Sequence, residues 1–184
     1  MILTLIKTLT ADGDSSLAFV DGTASVVLDS TYNEYMFVCT DIGPATDGAH
    51  FGFQVNAAGA ADYNETITST GFWAKQAENA SGTGVSYYGG LDLTQETGLQ
   101  NITYQQGNAA DESSSGILHL FNPSSTTYTT HFMSRFQSTN SDTSNESSDN
   151  FVSGYVNITG AVDEIRFKMS SGNFDGVIQM YGCA

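Results

Sequence analysis

The last third of the chain, residues 116–182, alternates between apolar and polar positions in strand-like runs. Alternation with a period of two residues is typical of a β-strand that buries one of its faces. Turn residues separate the runs, so we expect antiparallel strands here, with a closing hairpin in the last run. The runs are Gly116–Pro123, Thr127–Phe136, Asn150–Thr159 and Val162–Gly182.

The last run predicts two strands joined by a loop at Ser170–Asp175. Placing Ile165 and Phe167 opposite Met180 and Ile178 brings apolar side chains together on one face. A shift by one residue would exchange the two faces, so this pattern specifies the register well. We therefore expect the two strands to pair with each other in one sheet.

A second hairpin is predicted from the first two runs. If Leu118 lies opposite Phe132, His119 lies directly opposite His131 on the other face. That other face is too apolar to be fully exposed, so we expect a second layer or another subunit over it. The pairing fails if the two strands lie in different sheets, as consecutive strands of a jelly roll can. The other face also carries Ile117, Phe121, Met133 and Arg135.

Turn residues recur about every eight to twelve positions in the rest of the chain, and no segment predicts a long helix. Asp21–Gly22 between two apolar runs predicts a tight hairpin over Ser15–Leu28. Residues 1–14 lack the features of a signal peptide and predict an N-terminal strand or arm. Residues 138–150, rich in Ser, Asn and Asp, predict one exposed polar loop. We expect a single all-β domain over residues 1–184, an antiparallel β-sandwich that is jelly-roll-like and has long polar loops.

The charge composition of the chain argues against two classes of partner, nucleic acids and anionic membranes. The 184 residues suffice for one domain, and only 14% of them are charged. The net charge is −15 because the chain has only five Lys and Arg residues. Nucleic acids and anionic membranes are both bound through clustered cations, so we expect neither as a partner. No apolar run is long enough for a transmembrane helix.

No catalytic motif is recognisable in the sequence. The G-x-S-x-G, C-x-x-C and H-E-x-x-H patterns are absent, as is a glycine-rich phosphate loop. Adjacent carboxylates lie in predicted turns, where Asp is expected for backbone reasons. We therefore expect neither an enzyme nor a cofactor, with a carbohydrate-active enzyme that uses paired carboxylates as a remote alternative. The adjacent carboxylates are Asp12 and Asp14, Asp111 and Glu112, and Asp163 and Glu164.

Histidines and cysteines offer two weaker candidates. His119 and His131 would supply half of a metal site, but no third ligand lies at a matching strand position. A packed or interfacial histidine pair is therefore the preferred interpretation. Cys39 and Cys183 are too few for a disulfide framework, and two buried thiols are preferred to a single bridge.

Four aromatic residues form the candidate ligand-binding platform. Aromatic rings on loops can stack on sugars, as they do in lectin-like modules. Packing in the core is the preferred interpretation of the same residues. They are Trp73, Tyr87, Tyr88 and Tyr104.

Two segments, GILHLFNPSSTTYTTHFMSR (Gly116–Arg135) and IRFKMSSGNFDGVIQMYG (Ile165–Gly182), resemble small β-sandwich virion structural proteins of tailed, particularly marine, bacteriophages. The resemblance concerns the last third of the chain, residues 116–182, and these two segments carry it. It implies a jelly-roll-like sandwich, usually a homotrimer, that decorates the capsid or belongs to the tail and its host-binding apparatus. The implied partners are copies of the chain itself, the major capsid protein and other virion proteins. The implied location is the virion, assembled in the host cytoplasm.

We therefore expect a non-enzymatic virion structural protein, foremost a capsid decoration (cement) protein that acts through subunit contacts. The alternative is a tail or fibre-tip module that recognises a glycan receptor on the host. Arg135, Arg166 and Lys168 are interpreted as an outward basic stripe and are the candidate contact with an acidic neighbour.

Overall fold

The computed structural model describes residues 2–141 and 145–184, which form β-strands and one short 3-10 helix at Gly89–Leu91. No helix in these two ranges is long and apolar enough to cross a lipid bilayer. The strands are β1 (Leu3–Asp14), β2 (Leu17–Val20), β3 (Glu34–Pro44), β4 (Phe51–Ala57), β5 (Ile67–Ala77), β6 (Thr83–Tyr87), β7 (Thr94–Glu96), β8 (Gln100–Asn101), β9 (Ser114–Phe121), β10 (Thr130–Thr139), β11 (Glu146–Val156), β12 (Val162–Met169) and β13 (Phe174–Cys183).

The strands form two antiparallel sheets that pack against each other around one hydrophobic core. The large sheet has nine strands in the order β1-β13-β3-β9-β10-β11-β5-β6, with β7 also paired to β5. The small sheet has four strands in the order β2-β12-β4-β8. The predicted fold class, an all-β antiparallel sandwich, is therefore confirmed.

Eight of these strands form a jelly roll, because the chain repeatedly crosses from one sheet to the other. Strands β1 to β4 alternate between the sheets, and so do the pairs β8 and β9, and β12 and β13. This crossing sets β1-β13-β3-β9 against β2-β12-β4-β8, the two-sheet arrangement of a jelly roll. The other strands of the large sheet are β10, β11, β5, β6 and β7, and we call them the extension.

The inner face of β5 is covered by residues 88–93, whereas Phe132 and Phe136 on the inner side of β10 pack on Phe53 and Phe51 of the small sheet. Two hydrogen bonds join Ser69 to Leu93. The Ser69 amide donates to the Leu93 carbonyl, and the Leu93 amide donates to the Ser69 hydroxyl. Gly71 admits a close approach here, since a Cβ at this position would lie 2.8 Å from the Cβ of Leu91. The segment thus replaces the small sheet as the second layer under β5.

The predicted closing hairpin does not form, although both of its strands do. Strand β12 lies in the small sheet between β2 and β4, and β13 lies in the large sheet between β1 and β3. The apolar faces agree with the prediction, since Ile165, Phe167, Ile178 and Met180 are all buried. The pairing was wrong because alternation identifies the buried face of a strand but not its neighbour in a sheet.

The second predicted hairpin does form, from β9 and β10, but its register differs by two residues from the predicted one. Leu120 lies opposite Phe132, so His119 faces Met133 instead of His131. A shift of two residues leaves both faces unchanged, which is why the buried and exposed positions still agree with the prediction.

The segment predicted as an exposed polar loop, residues 138–150, is mostly strand. Strand β10 continues to Thr139, and β11 begins at Glu146. The side chains of Ser138, Ser148 and Asn150 are buried and hydrogen-bonded to one another. Hydrogen-bonded hydroxyl and amide groups can occupy a protein interior, so the polar composition concealed a buried face, although the Oδ1 of Asn150 has no partner there. Residues 142–144 of the predicted loop lie outside the described residues.

The Asp21–Gly22 pair makes a turn but not the predicted hairpin. Strand β2 ends at Val20, and the residues after the turn form no strand. The Asp21 carboxylate accepts a hydrogen bond from the amide of Leu28, and the Asp21 amide donates to the carbonyl of Asp163. The turn therefore ties β2 to β12, its partner in the small sheet.

Both cysteines are free thiols with buried side chains, which confirms the interpretation preferred over a disulfide. Cys39 lies opposite Ile178, whereas Cys183 lies opposite Glu34 at the other end of the same strand pair. Burial raises the pKa of each thiol, and the Glu34 carboxylate contributes to the increase at Cys183. A raised pKa lowers the thiolate fraction and makes both groups less reactive.

The core between the two sheets is centred on the ring of Phe167. Its centroid lies 5.4 Å from that of Phe37 in the opposite sheet and 5.8 Å from that of Phe51 in the neighbouring strand. Phe19 and Phe53 complete the cluster, and all five rings are fully buried. These contacts join the two sheets of the jelly roll.

We expect Phe167→Ala to lower the free energy of unfolding by about 3–5 kcal/mol, because it removes a buried ring and leaves a cavity. Phe72→Ala is the control, since Phe72 is 45% exposed on the other side of the large sheet, and we expect it to cost about 1 kcal/mol or less. Urea unfolding of the two variants measures both values. Equal losses would contradict the packing described here.

Candidate functional site

The outer side of β9 and the extension is a continuous apolar surface that remains open to solvent. Met133 is 56% exposed and Phe72 is 45% exposed, although both lie on strands whose alternate residues are buried. Such a patch on a protein surface marks a place of interaction. We call it the extension face, and it consists of Ile117, His119, Phe121, Phe72, Tyr87, His131, Met133, Arg135, Phe151 and Tyr155.

One row of side chains crosses the extension face from β9 to β6. Directly opposite residues on antiparallel strands share a face, so the register places the members of the row side by side. Four strand pairings contribute, and each is antiparallel with a defined register. The row is Ile117, Arg135, Phe151, Phe72 and Tyr87.

Two of the rings in this row are stacked on each other. The centroids of Phe72 and Phe151 are 4.8 Å apart and their planes differ by 6°. Parallel rings at this centroid distance are suited to an offset stack, the arrangement that aromatic pairs favour. The Arg135 guanidinium lies 4.8 Å from the Phe151 centroid on the β10 side, so both faces of Phe151 are covered.

This geometry decides which kind of ligand the row can bind. A sugar ring stacks on the free face of an aromatic ring, and the faces of Phe151 are occupied by its two neighbours. Ring edges and aliphatic side chains instead offer the apolar area that is typical of protein–protein contacts. The Phe151 ring therefore has no free face on which a sugar could stack.

The charges on the extension face are paired. Arg135 donates from Nε and Nη2 to the carboxylate of Asp149, with Nη2–Oδ2 at 2.7 Å, and this contact raises the pKa of the guanidinium. The His119 Nδ1 lies 2.6 Å from Oε1 of Glu34 on β3. On β9, β10, β11 and β5, all of them within the described ranges, the outward side chains with a permanent charge are Arg135 and Asp149. The acidic excess of the chain therefore lies elsewhere.

Met133 occupies the centre of the extension face. Three shallow grooves run across this surface, and Met133 lines each of them. One groove leads to His131 and Tyr155, another to Ile117 and Arg135. A flexible thioether at the meeting point of several grooves is adaptable to the shape of a partner.

The four aromatic residues predicted as a sugar platform do not form one. Trp73 is only 8% exposed and packs on the inner side of β5, with the Tyr104 centroid 4.5 Å away and the Tyr88 centroid 6.0 Å away. Tyr87 lies on the opposite side of the sheet, is 70% exposed and donates its hydroxyl to the carboxylate of Asp92. The rings of Trp73, Tyr88 and Tyr104 pack on one another, and packing was the preferred interpretation of the sequence.

The predicted basic stripe does not exist as one surface. Arg135 lies on the outer side of the large sheet, whereas Arg166 and Lys168 lie on β12 in the small sheet. The Arg166 guanidinium packs 4.1 Å from the ring centroid of Tyr63 and donates from Nη2 to Oε1 of Gln54. The prediction of one stripe was wrong because β10 and β12 lie in different sheets.

The two candidate metal ligands share a face but are not opposite each other. His119 pairs with Glu34, while the ring centroid of His131 lies 6.0 Å from that of Tyr155. No group of three His, Cys, Asp or Glu side chains in the described part of the chain is arranged to hold a metal ion.

The adjacent carboxylates have local structural contacts. Asp14 accepts a hydrogen bond from the amide of Asp12, and Glu112 accepts one from the amide of Ala109. Glu164 accepts a hydrogen bond from the side-chain amide of Asn56. The prediction that each set lies in a turn was wrong for Asp12 and Asp14 on β1 and for Asp163 and Glu164 on β12, whereas Asp111 does lie in a turn.

The sequence did not reveal Phe72 and Phe151 as members of a binding surface. They belong to β5 and β11, which are distant in sequence and pair only in the folded chain. Phe151 does alternate with buried Asn150 and Val152, so its outward position was detectable. Its stacked partner was not, because period-two alternation carries no information about long-range pairing.

Comparison of the chain with protein-family models, with curated proteins and with solved structures found no match. The class of the protein therefore follows from its own architecture, an all-β antiparallel sandwich with a jelly-roll core and an extended sheet. A fold of this kind hosts many functions, so the function must be argued from the extension face.

We expect Asp163→Asn to raise the midpoint of thermal unfolding at pH 7 and to have no such effect near pH 3. Burial, and then the charge of Glu164, raise the pKa of Asp163 in the folded chain. Asp163 contributes favourably to the free energy of unfolding below the pKa of about 4 that it has in the unfolded chain. This contribution is lost as the pH rises through the higher pKa of Asp163 in the folded chain. Asp47→Asn at an exposed position is the control for general charge repulsion. Equal gains from both variants at pH 7 would contradict this account.

Proposed function

We propose that this chain is a non-enzymatic structural protein that acts through protein–protein contacts of the extension face, as a capsid decoration protein of a tailed bacteriophage. One observation carries the proposal. The face presents stacked aromatic rings beside Met133, which is 56% exposed. The Arg135 guanidinium on this face is neutralised by the carboxylate of Asp149. This combination is suited to burial against another protein.

The mechanism is association without chemistry. Burial of apolar surface contributes about 25 cal/mol per Å², and it requires no reacting group. The acidic remainder of the surface, with a net charge of −15 for the whole chain, keeps free subunits soluble before they assemble. Contacts would then form where Met133 and its neighbours meet a complementary surface.

The setting in a virion is supported by two arguments of analogy. Jelly rolls recur among viral capsid proteins, and eight strands of this chain have that topology. Residues 116–135 and 165–182 also resemble small β-sandwich virion proteins, which implies copies of the chain, the major capsid protein or other virion proteins as partners. That resemblance further implies a homotrimer and a location in the virion after assembly in the host cytoplasm.

Electron microscopy of particles labelled with an antibody against this chain tests the proposal. We expect label distributed over the icosahedral shell. Label confined to the tail would favour the rival function, recognition of a host glycan by a tail or fibre-tip module. Purified particles without the chain would contradict a structural role in the virion.

A further inference from the structure

We infer that the partner on the extension face is a second copy of this chain, packed face to face about a two-fold axis near Met133. The inference rests on the proposed function, because it names the partner for the contacts proposed there, and it replaces the homotrimer that the resemblance implies with a two-fold dimer. It is supported by the charge balance of the face, by its position on one side of a sheet and by its size.

The charge balance suits a partner that is itself strongly acidic. Two copies with a net charge of −15 each repel one another wherever acidic surfaces meet. On the extension face, the Arg135 guanidinium is neutralised by Asp149, and the Glu34 carboxylate of β3 lies beside His119. The permanent charges of the face and its border are therefore one cation and two carboxylates, a small part of the net charge of −15. A second copy meets less repulsion here than at the acidic remainder of the surface.

The extension face is one side of a sheet, so it can pack against a second copy of itself. A two-fold interface uses the same patch on both subunits, so a residue on the axis meets its own copy. Sheets pack face to face about 10 Å apart, with strands either nearly aligned or nearly perpendicular. Met133 lines all three grooves, so an axis beside it brings the apolar row of each subunit over the grooves of the other.

The size of the face is sufficient for a reversible dimer. The five neighbouring strands β3, β9, β10, β11 and β5 span about 24 Å at the usual spacing, and six residues along a strand span about 20 Å. The flat footprint is therefore roughly 500 Å² per copy, or roughly 1,000 Å² for two copies before side-chain relief is counted. Specific interfaces begin near this size, so we expect a dissociation constant on the order of micromolar.

Sedimentation velocity over a range of protein concentrations tests the inference. We expect the mass of the wild-type chain to rise from one chain to two chains across the micromolar range. Met133→Glu places a charge at the axis and should keep the protein a single chain at every concentration. Ala18→Glu is the matched control, because Ala18 is exposed on β2 on the opposite side of the sandwich and its variant should dimerise like the wild type.

Exchanging the charges of Arg135 and Asp149 tests whether the dimer requires a neutral pair at this position. These variants also test the inference if Met133→Glu fails to fold. Arg135→Asp leaves two carboxylates facing each other across β10 and β11, and it should abolish the dimer. The double variant Arg135→Asp with Asp149→Arg restores a neutral pair and should restore the two-chain mass. Circular dichroism and thermal unfolding establish that each variant is folded.

Three results would overturn the inference. They are a wild-type chain that stays monomeric at all concentrations, a folded Met133→Glu variant that dimerises like the wild type, or a discrete mass of three chains. The last result requires contacts between different patches, so it contradicts the two-fold axis and leaves the proposed virion role intact. Conversely, a dimer through this face together with particles that lack the chain would refute the virion role alone.

Discussion

The structure depends on a difference in width between its two sheets, since nine strands face four. An apolar strand is stable only when its apolar side is removed from water, so each sheet needs a second layer. The small sheet provides this layer for the jelly-roll half and for β10, and residues 88–93 together with Tyr104 provide it for the inner side of β5. The extension face is the apolar surface that this architecture leaves open.

The interior of the sandwich changes character along its length. Around Phe167 it is aromatic, whereas toward the β10–β11 end it is held by hydrogen bonds. Gln106 accepts hydrogen bonds from the hydroxyls of Thr103 and Ser114 and donates to the carbonyl of Ile42. Buried polar groups that are satisfied in this way specify a unique arrangement. They also explain how a chain so rich in Ser, Thr and Asn forms a sheet with few charges.

Local alternation predicted which side of each strand is buried, and Phe132 and Phe167 lie inside as expected. It did not predict which strands are neighbours, because burial on one face is the same for a hairpin and for two strands in opposed sheets. It also failed where the inward residues are serines, as at Ser138. The surface around Met133 was recognised as too apolar to be exposed, but its partners on β5 and β11 required the folded topology.

The central claim is that the extension face is buried when the protein functions. Limited methionine oxidation by hydrogen peroxide, read by mass spectrometry, compares the assembled protein with dissociated chains. Met133 is 56% exposed in the single chain, whereas Met36, Met169 and Met180 are buried and serve as internal controls. We predict that Met133 is oxidised rapidly in dissociated chains and is protected in the assembly. Equal oxidation of Met133 in both states would contradict the account.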